Sequence, residues 1–218
     1  MATNHSPRFG LFARVLGGLL ATASLGGCSL QAYPEIPRFA ESGGQTQADL
    51  DATLATIPGL TFTDASGSKP NAKGNTGYSF DMTLDPAYEI ADAPALVDFL
   101  VLSAWSVRDG YMPNTTIEIS LDGGPLATDK VNLVKAGEDS GWVPVGSQLD
   151  RMTPETGGSA PEFANGYSNV SVWLTIDGVN PSTAEKRGAT ANRDRLGDWP
   201  GAAPELPTDI VVPRATDN

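Results

Sequence analysis

Three short stretches alternate apolar and polar residues with a period of two, and this pattern limits the possible folds more than any other feature of the chain. Tyr78, Phe80, Met82 and Leu84 alternate with Ser79, Asp81 and Thr83. Ile117, Ile119 and Leu121 alternate with Thr116, Glu118 and Ser120, and Val170, Val172, Leu174 and Ile176 alternate with Ser171, Trp173 and Thr175. Successive strand side chains point to opposite faces, so each stretch reads as a strand with one buried and one wet face. A sheet that is wet on one side is antiparallel or mixed, because an all-parallel sheet has both faces covered.

Between the first two strands, Asp92 is a candidate N-cap and Pro94 falls in the first helical turn, where its missing N–H costs nothing. The helix is predicted to run to about Val107. Leu96, Phe99, Leu100, Ser103 and Val107 line one side, and Val97, Val101, Leu102 and Trp105 cover much of the rest. A helix apolar nearly all round is normally buried on more than one side. Strand, helix and strand have the spacing of a right-handed crossover, which would make the strands at 78–84 and 115–121 parallel. A minor helix is predicted over 47–57 from Leu50, Leu54 and Ile57, then a strand starting at 60–63 and an exposed loop over 64–77. Trp142 to Val145 is a candidate short strand, and 153–166 reads as a Gly/Pro/Ser-rich loop. The expected architecture is an α+β open-faced sandwich, a mainly antiparallel or mixed sheet with one major and one minor helix. Asn114–Gly123 and Asn169–Gly178 match at both ends and in alternation, which fits either a duplicated strand unit or convergence of similar half-buried strands.

The amino-terminal segment reads differently. Met1 to Arg14 carries Arg8 and Arg14 and no acidic residue, Val15 to Leu25 is apolar or small, and Gly26-Gly27 precede Cys28, the only cysteine. Basic, apolar and small-residue regions in that order form a secretory signal. The apolar run is about half the roughly 20 residues that span a bilayer. Leu25-Gly26-Gly27-Cys28 resembles the lipobox of bacterial lipoproteins. The resemblance covers residues 1 to about 30. It implies cleavage between Gly27 and Cys28, a diacylglyceryl group on the Cys28 sulfur, and a location on the extracytoplasmic face of the cell membrane. The expected organisation is then a signal peptide at 1–27, a flexible tether at 28–45, one domain at 46–180 and a Pro-rich acidic tail at 181–218.

Removal of 27 residues would leave 191, enough for one domain with a real core. The whole chain has a formal charge of −12; the signal contributes two arginines and no acid, so the mature chain stands at −14. Phosphates would be repelled, so no nucleic-acid partner is expected, and tethering to anionic lipid would fall to the acyl chains. The only histidine, His5, leaves with the signal. Without His or a free thiol, Ser-His-Asp and Cys-His catalysis and His-ligated zinc are excluded. No cofactor or metal is expected.

Ser66-Gly67-Ser68-Lys69 matches S-x-x-K but lies in an expected loop rather than at a helix start, without its companion motifs. Asn192 to Asp198 resembles a calcium loop only superficially, since Leu196 replaces a ligand and arginines separate the acids. The sequons at Asn114 and Asn169 are chance matches in a bacterial lipoprotein. Asp81 and Glu118 lie on wet faces of neighbouring strands. They are the best-placed pair for a carboxylate-dependent hydrolase of cell-wall glycans, the alternative function. Trp173 points to the same wet face, and an exposed aromatic there suits a glycan or envelope-protein partner unless the tail from residue 199 covers it. The expected function is therefore a lipid-anchored binding or envelope-associated module without catalysis. Cys28→Ala is expected to move the protein from the membrane fraction to the soluble fraction; an unchanged membrane fraction in cell fractionation would refute the anchor.

Overall fold

In the computed structural model, which describes residues 36–122, 131–146, 167–175 and 187–215, the alternating stretches are strands of one sheet. The elements run α1 (Gln47–Leu54), β1 (Leu60–Gly67), β2 (Gly77–Leu84), β3 (Tyr88–Ile90), α2 (Ala93–Ser106), β4 (Thr116–Asp122), α3 (Leu133–Asp139), β5 (Tyr167–Trp173), α4 (Ala189–Leu196) and β6 (Val211–Pro213). The main sheet has the order β1-β2-β4-β5. Its outer pairs are antiparallel and β2/β4 is parallel, the pairing expected from the crossover spacing. β3 and β6 form a second, two-stranded antiparallel sheet. The fold is α+β. The signal segment, including Gly27 and Cys28, lies outside the described residues, as does the expected loop at 153–166.

Period-two alternation becomes one-sided burial. Tyr78, Phe80, Met82 and Leu84 of β2, Ile117, Ile119 and Leu121 of β4, and Val170 and Val172 of β5 are all buried. α2 shares their cluster. Asp92 caps it by accepting from the Ala95 N–H (2.9 Å), and Leu96, Val97, Phe99, Leu100, Val101 and Trp105 are buried around nearly the whole circumference. Each such side chain contributes about 1.5–3 kcal/mol by leaving water. The exposed Lys135–Asp139 pair of α3 is worth only about 0.3–0.5 kcal/mol. Burial of α2 therefore outweighs the surface ion pairs in holding the layers together.

Several expected boundaries move. β1 continues to Gly67, so 64–67 is strand rather than loop. A bulge between Phe62 and Asp64 shifts the register, so Phe62 and Ala65, three apart, both pack on the core. Trp142 and Val143 are buried but not in a strand; they follow the unexpected helix α3. Within α3, a Cβ on Gly137 would stand 2.9 Å from methyls of Val143 and Val170, so glycine permits the close approach of helix and strand. With α4, the described residues contain four helices rather than one major and one minor.

The expected tether and tail both need correction. Of 28–45, the described part from Ile36 is stitched to the carboxyl end of α2. Ala40 N–H donates to Arg108 C=O, Gln45 N–H donates to Ser106 C=O (both 2.9 Å), and Ile36 is buried. Gly44 sits there at φ +55°, where a Cβ would fall 2.0 Å from the Ser106 carbonyl oxygen. Past residue 186, α4 packs into the structure, Leu196, Ile210 and Val211 join the core cluster, and β6 pairs with β3. Prolines bar long helix here, but they leave apolar side chains free to dock.

Arginine-to-tryptophan stacking fastens α4. Arg195 lies 3.8 Å over the Trp142 ring and pairs with Asp98 of α2, whose Oδ1 also accepts from Trp142 Nε1 (2.9 Å). Arg193 lies 4.7 Å over Trp105. Buried Asn192 donates through Nδ2 to the carbonyls of Trp142 and Trp173 (both 3.0 Å). Asn192→Ala strips both carbonyls of their donor and is expected to lower stability by about 1–3 kcal/mol in urea unfolding. Exposed Thr190→Ala on the same helix is expected to stay within about 0.5 kcal/mol.

Candidate functional site

The face of the sheet opposite α2 is built from the polar half of the alternation. β2 presents Ser79, Asp81 and Thr83, β4 presents Thr116, Glu118, Ser120 and Asp122, and β5 presents Asn169, Ser171 and Trp173. All are exposed or half-buried. Strands β1, β2, β4 and β5 contain no Lys or Arg. Among the described side chains, the face is thus a row of hydroxyls, an amide and carboxylates, with Trp173 at its corner.

Register places the expected residues. Ser79 lies opposite Glu118, and Asp81 opposite both Ser120 and Asp64. Glu118 also faces Ser171, and Trp173 lies opposite Thr116 at the far edge. Asp81 and Glu118 therefore occupy neighbouring strands on one face, offset diagonally by two residues. Both are exposed on the open face rather than enclosed in a pocket. The half-buried ring of Trp173 is overlain by the Arg187 guanidinium at 3.9 Å, from the segment just ahead of α4 rather than from residue 199 onward.

A cleft of about 270 Å³ opens on this face beside Glu118, walled by Ser68, Asn71 and Asn75 on one side and by Ser79 and Thr116 on the sheet. Its loop is fixed by side chains acting on backbone. Asn71 Oδ1 accepts from the N–H groups of Lys73 (2.8 Å) and Asn75 (3.1 Å). Asn114 donates to Gly74 C=O (2.9 Å) and accepts from Thr76 N–H (2.9 Å), while buried Thr76 donates to Met112 C=O (2.7 Å). Asn114 of the sequon thereby has a structural role. Such a loop is ordered before any ligand arrives, which lowers the entropy cost of binding. Reading period and spacing located Glu118 and Trp173 but missed Asn71 and Asn75. The dense Asn/Gly/Pro content of 70–75 was the only signal available.

The other motifs have structural roles. Ser66 sits at the end of β1 and donates to Asp64 Oδ1 (2.8 Å), not at a helix start beside a lysine. Asn192 to Leu196 is the second half of α4, not a metal-binding loop. Among the described residues, no three His, Cys, Asp or Glu side chains are grouped to hold a metal, and no helix is long and apolar enough to cross a membrane.

Comparison of the chain with protein families, with characterised proteins and with solved structures finds no match. Arg187→Ala is expected to uncover the Trp173 indole. Acrylamide quenching should rise while stability falls by about 1 kcal/mol or less, and the rise should vanish in a Trp173→Phe background.

Proposed function

We propose that this protein is an extracytoplasmic lipoprotein, held at the cell membrane through a lipid on Cys28, whose α+β domain binds an envelope ligand on its open sheet face. The observation that carries this reading is the row of hydroxyl, amide and carboxylate groups running from Asp81 and Glu118 to Trp173, next to a preformed polar cleft. Glycans present hydroxyls in a plane, which a polar sheet complements, and C–H faces that stack on aromatic rings, which the Trp173 indole would offer on displacement of the overlying Arg187 guanidinium. Asp81 and Glu118 serve here as hydrogen-bond acceptors for sugar hydroxyls. Their exposure favours binding over the carboxylate-dependent hydrolysis of cell-wall glycans, which works on a bond enclosed between two carboxyl groups. The excess of acid over base supports a ligand that is not a nucleic acid.

The test is co-sedimentation of the detergent-solubilised full chain with purified insoluble cell-wall glycan. The wild type is expected to sediment with it, and Trp173→Ala and Glu118→Gln to weaken retention about tenfold or more, as loss of an interface anchor does. Equal retention of Trp173→Ala and wild type would remove the sheet face from the reading. Release of reducing sugar by the wild type, abolished in Asp81→Asn, would replace it with the hydrolase.

A further inference from the structure

Among the described residues, β1 is one edge of the main sheet and pairs with β2 alone. Edge strands are commonly guarded by Lys, by Pro or by being short. β1 is eight residues long and contains neither. Its guards are the bulge at Phe62/Asp64 and the Gln47 side chain, whose Nε2 donates to Ala65 C=O (2.7 Å). The stretch Leu60–Asp64 borders a recess of about 540 Å³, closed on the far side by Asp51, Leu54 and Ala55 of α1 and its end. A second recess of about 410 Å³ shares Asp51 and Ala65 and continues to Asp109 and Tyr111, so the two adjoin where Gln47 bonds to Asp51 and Ala65.

Charge is one-sided along this groove. Asp51 accepts from Gln47 Nε2 (2.7 Å), Asp64 from the hydroxyls of Ser66 and Ser79, and Asp109 from Gln47 N–H (2.8 Å). All these donors are neutral. Burial raises the Tyr78 hydroxyl above its ordinary pKa, a hydrogen bond to Gln47 opposes this, and Asp51, Asp64 and Asp109 raise it further. Three carboxylates thus act on one point at the groove's middle. At the far end Arg38 lies 5.5 Å from the Tyr111 ring centroid and Arg108 donates to Glu41 C=O (3.0 Å). The half along Leu60–Asp64 has no Lys or Arg in its lining.

We infer that the α1/β1 groove docks an extended segment of a partner protein in which apolar residues alternate with Lys or Arg, added as a strand on the β1 edge. Main-chain hydrogen bonds to an edge give such additions affinity, and alternate side chains give them specificity. With a period of two, one set of partner side chains would meet exposed Ala55 and half-buried Phe62 while the other carried its cations towards Asp51 and Asp64. Asp64 borders both surfaces, since it also accepts from Ser79 of the open sheet face, but the groove lies along the β1 edge and the inference stands whether or not that face binds glycan.

The probe is a fluorescein-labelled octapeptide of four Lys-Val repeats, added to the detergent-solubilised full chain. Fluorescence anisotropy is expected to show saturable binding, weakened about tenfold or more in the Asp51→Asn/Asp64→Asn variant. Hydrogen exchange of the unmutated chain is expected to slow at Leu60–Asp64 when the peptide is bound. A peptide of four Glu-Val repeats should not bind. Absence of saturable binding, equal binding of the acidic peptide, or slowed exchange confined to other segments would each overturn the inference. The exchange footprint decides alone if the double variant loses its near-ultraviolet circular dichroism.

Discussion

The packing of α2 against one face of the β2-β4-β5 sheet is the contact on which the remaining architecture depends. It buries the apolar half of each alternating strand and nearly the whole circumference of the helix. The helix is also the crossover that makes β2 and β4 parallel. Everything else docks on what α2 leaves uncovered. The 36–45 segment hydrogen-bonds to its carboxyl end, and Asp98 on its flank holds Arg195 of α4. Weakening that layer would loosen the clamp on α4 along with the sheet, since both contacts start from the same helix.

How much of this was legible in the sequence follows from which forces leave a periodic trace. Burial against a flat surface does, so β2, β4, most of β5 and α2 with its Asp92 cap could be read directly. β1 could be read only to its bulge, because one extra residue inverts the phase and makes an inward Ala65 look outward. α3 is seven residues long and contains Gly137, where a Cβ would stand 2.9 Å from methyls of two valines, a crowding that no local signal encodes. α4 is held by guanidinium stacking on Trp142 and Trp105 and by a buried Asn. A hydropathy reading counts those residues as solvent-seeking, so the segment resembled an unstructured tail. The site followed the same rule. Alternation placed Asp81, Glu118 and Trp173 on one face, whereas the cleft wall from Asn71 to Asn75 arises from side-chain hydrogen bonds to backbone 38–40 residues away in sequence.

The two candidate surfaces differ in the physics they offer. The open sheet face is flat, polar and prepared by a stapled loop, so a ligand there would replace water in hydrogen bonds and stack on one ring. The α1/β1 groove joins a mixed apolar and acidic lining to a strand edge that, among the described residues, only β2 flanks, so its occupant would bring its own backbone and cations. A chain with formal charge −12 uses its acids differently in the two places, as acceptors in one and as a long-range field in the other.

The stitching of residues 36–45 onto α2 also bears on reach. A free linker from Cys28 through Gln45, 18 residues, could extend about 60 Å. With the chain fixed from Ile36, seven residues separate Cys28 from it, and the full extension from Cys28 to Ile36 is under about 30 Å. A lipid on Cys28 would therefore keep this domain skimming the membrane surface on a short leash. Ligands would have to come to it, or already lie within that thin shell.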